Sequence, residues 1–152
     1  MSCSDIVRID IDFPLRSKSN YRRRANSNTW STHRSFEDGL ALLARSKTPK
    51  DWDLGDAAAP LSTRPVIVML IAATSLLDTS NLSKSVADAL EGVLYHNDAS
   101  IRLVTCLSQR QRSPQRACVL VRALPAGAEV SEMTAAAEEL FSAYLADPSA
   151  TA

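Results

Sequence analysis

Most of the side chains capable of chemistry stand in one stretch, Asp78 to Ile101, which reads DTSNLSKSVADALEGVLYHNDASI. Residues three and four apart share a face of an α-helix. Wound that way, Leu82, Val86, Ala89, Leu90 and Val93 fall on one arc, and Asn81, Lys84 and Asp88 line up on another. An amide, an ammonium and a carboxylate therefore form a row beside an apolar anchor. Asp78 precedes the helix and Asp98 follows it, close to the next apolar segment. Two carboxylates near a lysine are suitable equipment for phosphodiester hydrolysis. A hard cation such as magnesium takes carboxylate, water and phosphate oxygens, and it can activate a bound water. A lysine offsets charge that develops on the phosphate. Short connections on both sides of the helix are expected to bring Asp78 and Asp98 together. Each residue taken singly also has a plain structural role. Asp78 suits a helix start through the dipole, Ser80 or Asn81 suits an N-cap, and Lys84 with Asp88 suits a surface ion pair.

The elements that must position this stretch are readable around it. Ile6 to Phe13 alternates, with Val7, Ile9, Ile11 and Phe13 on one face, and Pro14 ends it, which predicts a half-buried strand. A basic, Ser- and Asn-rich loop is expected over 15–32, then a helix from Thr32 to Arg45 through Phe36, Leu40 and Leu43. Gly39 weakens that helix by roughly 1 kcal/mol relative to Ala. A long mobile loop with Pro49, Gly55 and Pro60 is expected over 47–64. Pro65 to Ala73, PVIVMLIAA, reads as a central strand covered on both faces. The helix of the polar row runs from Asn81 to Glu91, stopped by Gly92. Ile101 to Leu107 and Ala117 to Leu124 read as two further strands, joined as a hairpin by Gln109 to Gln115. An acidic C-terminal helix over 131–145 turns Met133, Ala137, Leu140, Phe141 and Tyr144 to one side. The sum is a single α+β domain over 1–152, a four-stranded mixed sheet with about three helices.

Composition narrows the classes. The 152-residue chain has a formal net charge of zero, but the charges are unevenly spread. Arg16, Lys18, Arg22, Arg23 and Arg24 crowd one stretch, and Arg102, Arg110, Arg112, Arg116 and Arg122 occupy 101–128, where no acid falls. From Glu129 onward there are five acids and no base. Basic stretches set apart from an acidic tail suit a polyanionic partner, although solvated faces would look the same. Cys3, Cys106 and Cys118 form no CxxC pair, which argues against a disulfide framework and a thiolate zinc site. A reducing, cytoplasmic location is expected. His33 and His96 stand far apart, and Trp30 and Trp52 fall in expected loops, where packing or base stacking is open to them. There is no GxGxxG or Walker loop, no apolar run long enough for a membrane span and no secretory signal at the start. Neither a nucleotide cofactor nor a membrane partner is expected.

The central stretch resembles the RusA-type Holliday junction resolvases, the crossover junction endodeoxyribonucleases. Their pattern runs D-x-D-N-L-x-K, then D-A-L-x-G, then an acidic pair followed by an aliphatic residue. The matching residues are Asp78-Thr79-Ser80-Asn81-Leu82-Ser83-Lys84, Asp88-Ala89-Leu90-Glu91-Gly92, Asn97-Asp98 and Ile101, without a gap. The N-terminal strand, Pro14 and the Asn20-Tyr21-Arg22 loop are similar to the family's opening. The resemblance implies a homodimer of bacterial or phage origin, nucleoid-associated, that cuts four-way DNA junctions with magnesium, or with manganese in its place. It implies catalytic roles for Asp78, Lys84 and Asp98, with Asp78 and Asp98 as metal ligands. Asn81 and Asp88 would support them. Arg16, Lys18, Arg22, Arg23 and Arg24, with Arg110 and Arg112, would grip DNA. Two positions depart from the pattern. Ser80 replaces the second aspartate of D-x-D, and Asn97 replaces the first of the acidic pair. Each keeps a neutral oxygen acceptor, suited to an auxiliary ligand. Three readings follow: a metal-dependent junction endonuclease, a branched-DNA-binding protein that cuts weakly or not at all, and a fold reused for an unrelated interaction.

Overall fold

A computed structural model describes residues 5–15, 27–54, 64–75, 79–112 and 114–147, with the backbone alone for 27–33. Its organising element is β2 (Val66–Thr74), the continuous apolar run, buried at every position. Strand residues point alternately to the two faces of a sheet. Val66, Val68, Leu70 and Ala72 therefore enter one core, and Ile67, Met69 and Ile71 enter another on the opposite face. A strand that must be covered on both faces belongs in the middle of its sheet. The order is β1-β4-β2-β3, with β1 at Ile6–Ile11, β3 at Ile101–Arg110 and β4 at Arg116–Ala123. β4 is antiparallel to both β1 and β2, and β3 is parallel to β2, so the sheet is mixed as expected.

Three helices cover the sheet. α1 (Ser27–Lys47) and α2 (Thr79–Leu90) share one face, where Phe36, Leu40, Leu82, Val86 and Leu90 meet the alternating residues of β1, β4 and β2. α3 (Val130–Ala146) lies on the other face, with Ala136 and Leu140 buried against β2 and β4. Arg122 of β4 meets Glu139 of α3 at 2.5 Å, and Arg8 of β1 donates to the Asp147 carbonyl at 2.7 Å. These contacts fix the rotation of α3: its Glu139 flank is turned toward β4. At the start of α3 the Glu129 and Glu132 side chains form a reciprocal capping box. Trp52, expected in a loop, packs against the first core. Its indole donates to the Leu94 carbonyl at 3.0 Å, and Arg64 lies over its ring.

Three expectations need correction. β3 and β4 do not form a hairpin. They flank β2, and the link over 111–115 steps across its end, with the Gln111 N–H donating to the Thr74 carbonyl at 3.0 Å. A short turn-rich link reads the same in sequence whether it joins neighbours or skips a strand. The apolar demand of β2 for partners on both sides decides the matter. β3 also continues to Arg110, beyond the expected Leu107. Lastly, α1 begins at Ser27, so 27–32 is helix rather than part of the basic loop, and Trp30 lies within the helical span. The Ser, Asn and Thr residues there carry little apolar periodicity, the signal by which a helix is legible in sequence. Arg16, Lys18, Arg22, Arg23, Arg24 and the 55–63 part of the long loop lie outside the described residues.

Gly39 sits in the interior of α1, and a β-carbon there would meet the Phe13 ring at 3.8 Å, an ordinary contact distance. Gly39→Ala is therefore expected to raise stability by about 0.5–1 kcal/mol, since it removes backbone freedom from the unfolded chain without a clash. Urea unfolding read by circular dichroism checks this, and a loss of stability would contradict the packing described.

Candidate functional site

The polar row forms as its spacing requires. Lys84 Nζ lies 3.8 Å from Asp88 Oδ1, one helical turn apart on α2, and Asn81 lies on the same face. The lysine is largely exposed and the aspartate half-buried, so the pair contributes at most a fraction of a kcal/mol. It leaves the ammonium accessible. Ser85, on the opposite flank, is buried, and its hydroxyl is satisfied within the helix by donating to the Asn81 carbonyl at 3.0 Å.

Beyond α2 the chain closes on Tyr95. This side chain is fully buried, and its hydroxyl donates to the Ala87 carbonyl at 2.5 Å. Burial raises the tyrosine pKa most. The fields of Asp88, Glu91 and Asp98 raise it further, because a phenolate would sit among carboxylates. Gly92, at φ 77°, lets the backbone turn between α2 and Tyr95, a conformation that costs other residues energy. Asn97 opens the short 3-10 turn at Asp98–Ser100, where its side-chain carbonyl accepts from the Ala99 N–H at 3.0 Å. Asp98 itself is exposed at the start of β3. Sequence reasoning missed both the anchoring by Tyr95 and the cap by Asn97. An aromatic between two acidic segments and an Asn directly before Asp-Ala-Ser were the available signals.

The two ends of α2 are thus distinct places. Because β2 and β3 are parallel, α2 must travel from the C-terminal end of β2 back to the N-terminal end of β3. Its twelve residues rise about 18 Å. Ser80 and Asn81 stand in its first turn, while Asp88 and Asp98 stand at its far end. Ligands of one magnesium lie within about 4 Å of each other, since each sits about 2 Å from the ion. Ser80 and Asp98 of one chain therefore cannot share a cation. The expected meeting of Asp78 with Asp98 involves a residue, Asp78, that lies outside the described ones. Among the described residues, no three His, Cys, Asp or Glu side chains gather closely enough to hold a metal. Arg110, level with Thr74 at the end of β2, and Arg112 just after it are exposed, at the same end of the sheet as Ser80. Arg102 lies at the Asp98 end, where it donates to the Ala99 carbonyl.

An ammonium and a carboxylate on one helix, with arginines at the strand ends beside it, are the equipment of a protein that handles a phosphate backbone. The comparisons name the class more closely. The chain belongs to the RusA family: its sequence matches Endodeoxyribonuclease RusA over residues 12–122, a span that contains β2, α2, β3 and nearly all of β4. A search among curated proteins gave no match. The family is one of DNA-cutting enzymes that act on branched DNA, and no helix among the described residues is long and apolar enough to cross a membrane.

The cap gives a direct test. Asn97→Ala is expected to lower stability by about 1 kcal/mol, and Asn97→Asp to leave it nearly unchanged, because Asn and Asp cap equally well. Thermal unfolding of the two variants checks this. Equal losses in both would mean that the amide oxygen is not acting as a cap.

Proposed function

We propose that the protein is a structure-selective endonuclease that resolves four-way DNA junctions by phosphodiester hydrolysis. The reading is carried by the family match, which spans the whole carboxylate–lysine stretch. The accessible Lys84 ammonium supports it, since it can offset charge on a phosphate. Arg110 and Arg112, exposed at the end of the sheet where α2 begins, suit contacts to the DNA backbone. Arg16, Lys18, Arg22, Arg23 and Arg24 extend that role in sequence. Magnesium is the cation this chemistry calls for, and manganese serves the same ligands. Asp78 and Asp98 are the charged ligands proposed for it, with Ser80 and Asn97 as neutral auxiliaries. The described residues of a single chain do not fit the ion, because Ser80 and Asp98 stand at opposite ends of α2.

A second reading is a protein that holds branched DNA and cuts it weakly. It is favoured by Ser80, which offers a neutral hydroxyl where the family pattern has a carboxylate, and by Asn97, whose side-chain oxygen is already engaged in a cap.

A synthetic four-way junction and a linear duplex of matching sequence, each incubated with magnesium or with EDTA, separate the two. The nuclease reading expects metal-dependent nicking of the junction. Asp78→Asn is expected to abolish it, and Lys84→Ala to slow it by about 100-fold or more. The binding reading expects junction-selective binding without nicking, and nicking gained in Ser80→Asp. Equal affinity for junction and duplex at low salt, where phosphate contacts are strongest, would sink both readings.

A further inference from the structure

β3 opens with an irregularity. Its pairing with β2 steps from Val66 opposite Ile101 to Ile67 opposite Leu103, so Arg102 has no counterpart in β2. Along a regular strand, residues two apart point to the same face of the sheet. Here Ile101 packs into the core under α1 and α2, and Leu103 packs into the core under α3. The extra residue turns the strand over and stands Arg102 outside the ladder. Bulges are rare between parallel strands, and they collect next to active sites, where they re-aim a side chain. The side chain re-aimed here is an exposed arginine.

That arginine meets the turn that carries Asp98. Its guanidinium donates to the Ala99 carbonyl, inside the Asp98–Ser100 turn. Asp98 is exposed one residue earlier. A cation and a carboxylate set around one turn commonly pair. Among the described residues these two do not, either with each other or with another charged group. Asn97, the neighbour of Asp98, is neutral, and the Ala99 N–H holds its side-chain oxygen. No second carboxylate therefore stands in that position to capture the guanidinium. A guanidinium has five N–H donors. The contact to the Ala99 carbonyl restrains the side chain and leaves most of the fork for a ligand. A restrained guanidinium loses little freedom on binding, and its planar fork matches two oxygens of a phosphate.

We infer that Arg102 is a further catalytic residue, whose guanidinium holds the phosphate that is cut beside Asp98. The catalytic part rests on the nuclease reading above. The phosphate contact requires only that the protein binds DNA. In the hydrolysis a water oxygen bonds to phosphorus, the bond from phosphorus to the leaving sugar oxygen breaks, and a proton of the water passes to that oxygen. Negative charge shifts among the phosphate oxygens and onto the leaving oxygen as the bonds exchange, and a positioned guanidinium stabilises it there. Lys84 offers a point charge from α2, whereas Arg102 offers a directional fork from the start of β3.

Two measurements on a synthetic four-way junction test this. The first is the salt dependence of binding in EDTA, where nothing is cut. Arg102→Ala is expected to flatten the slope of log affinity against log salt by about 1 per bound chain, the mark of one lost phosphate contact. The second is the single-turnover cutting rate in magnesium at saturating protein. Arg102→Ala is expected to slow it by about 100-fold, as loss of one donor to a developing charge does. Arg102→Lys is expected to recover part of the rate. Arg102→Gln, whose amide can still donate to the Ala99 carbonyl, is expected to recover none, and all three variants to unfold close to the wild-type temperature. An Arg102→Gln protein that cuts like the wild type would mean that the arginine only fastens the turn, and overturns the proposal. An unchanged salt slope in Arg102→Ala overturns the phosphate contact, and the catalytic role with it. If the wild type cuts and Arg102→Ala cuts as fast, the catalytic role fails while the nuclease reading stands. If the wild type leaves the junction uncut and the slope still falls, the nuclease reading fails while the contact stands.

Discussion

The parallel pairing of β2 with β3 is the constraint on which the rest of the molecule depends. β2 is apolar at almost every position, so it needs a core on each face and a hydrogen-bonded neighbour on each side. β4 satisfies one side through antiparallel pairing. The other side is taken by β3, which runs in the same direction as β2 and can be reached only by a crossover. α2 is that crossover. Its apolar arc, Leu82, Val86, Ala89 and Leu90, is the price of lying on the sheet, and its polar row is what remains on the outer side.

The crossover also divides the chemistry. The end of the sheet where β2 finishes holds the first turn of α2 and the arginines of the β3–β4 link. The opposite end holds Asp88, Asp98 and the buried Tyr95, whose hydroxyl donates to the Ala87 carbonyl. Zero net charge is thus the sum of local imbalances, and each end presents its own field. Ser80 and Asn97, where the resemblance implies carboxylates, fall one at each end. Asn97 serves the 3-10 turn as well as an aspartate would, so the fold is indifferent to which of them stands there. Ser80 is exposed in the first turn of α2, where the fold likewise makes no demand for a particular side chain.

Much of this was legible in the residues. The alternation of Val7, Ile9 and Ile11, the unbroken run from Val66 and the three-and-four spacing of Leu82, Val86, Ala89 and Leu90 report burial directly, because strand and helix periods are fixed by backbone geometry. Less was legible where burial is not periodic. The polar start of α1 carries no apolar beat, and the 111–115 link carries turn residues whether or not it skips a strand. Within the candidate site, the row of Asn81, Lys84 and Asp88 followed from helical spacing alone, since all three ride on one element. The relation of Ser80 to Asp98 did not, since they ride on different elements.

The sequence by itself determined the elements, their buried faces, the family and the cast of charged residues around α2, because each is encoded by neighbours along the chain. Only the tertiary structure decided the strand order, the direction of β3 and hence the distance between the two ends of the site. Those depend on which edges of β2 are filled and from which side, a choice made by packing between residues far apart in sequence. Tyr95 shows the same division. Its place among the residues was plain, but its burial and its hydrogen bond to the Ala87 carbonyl appear only once α2 and the start of β3 are folded around it.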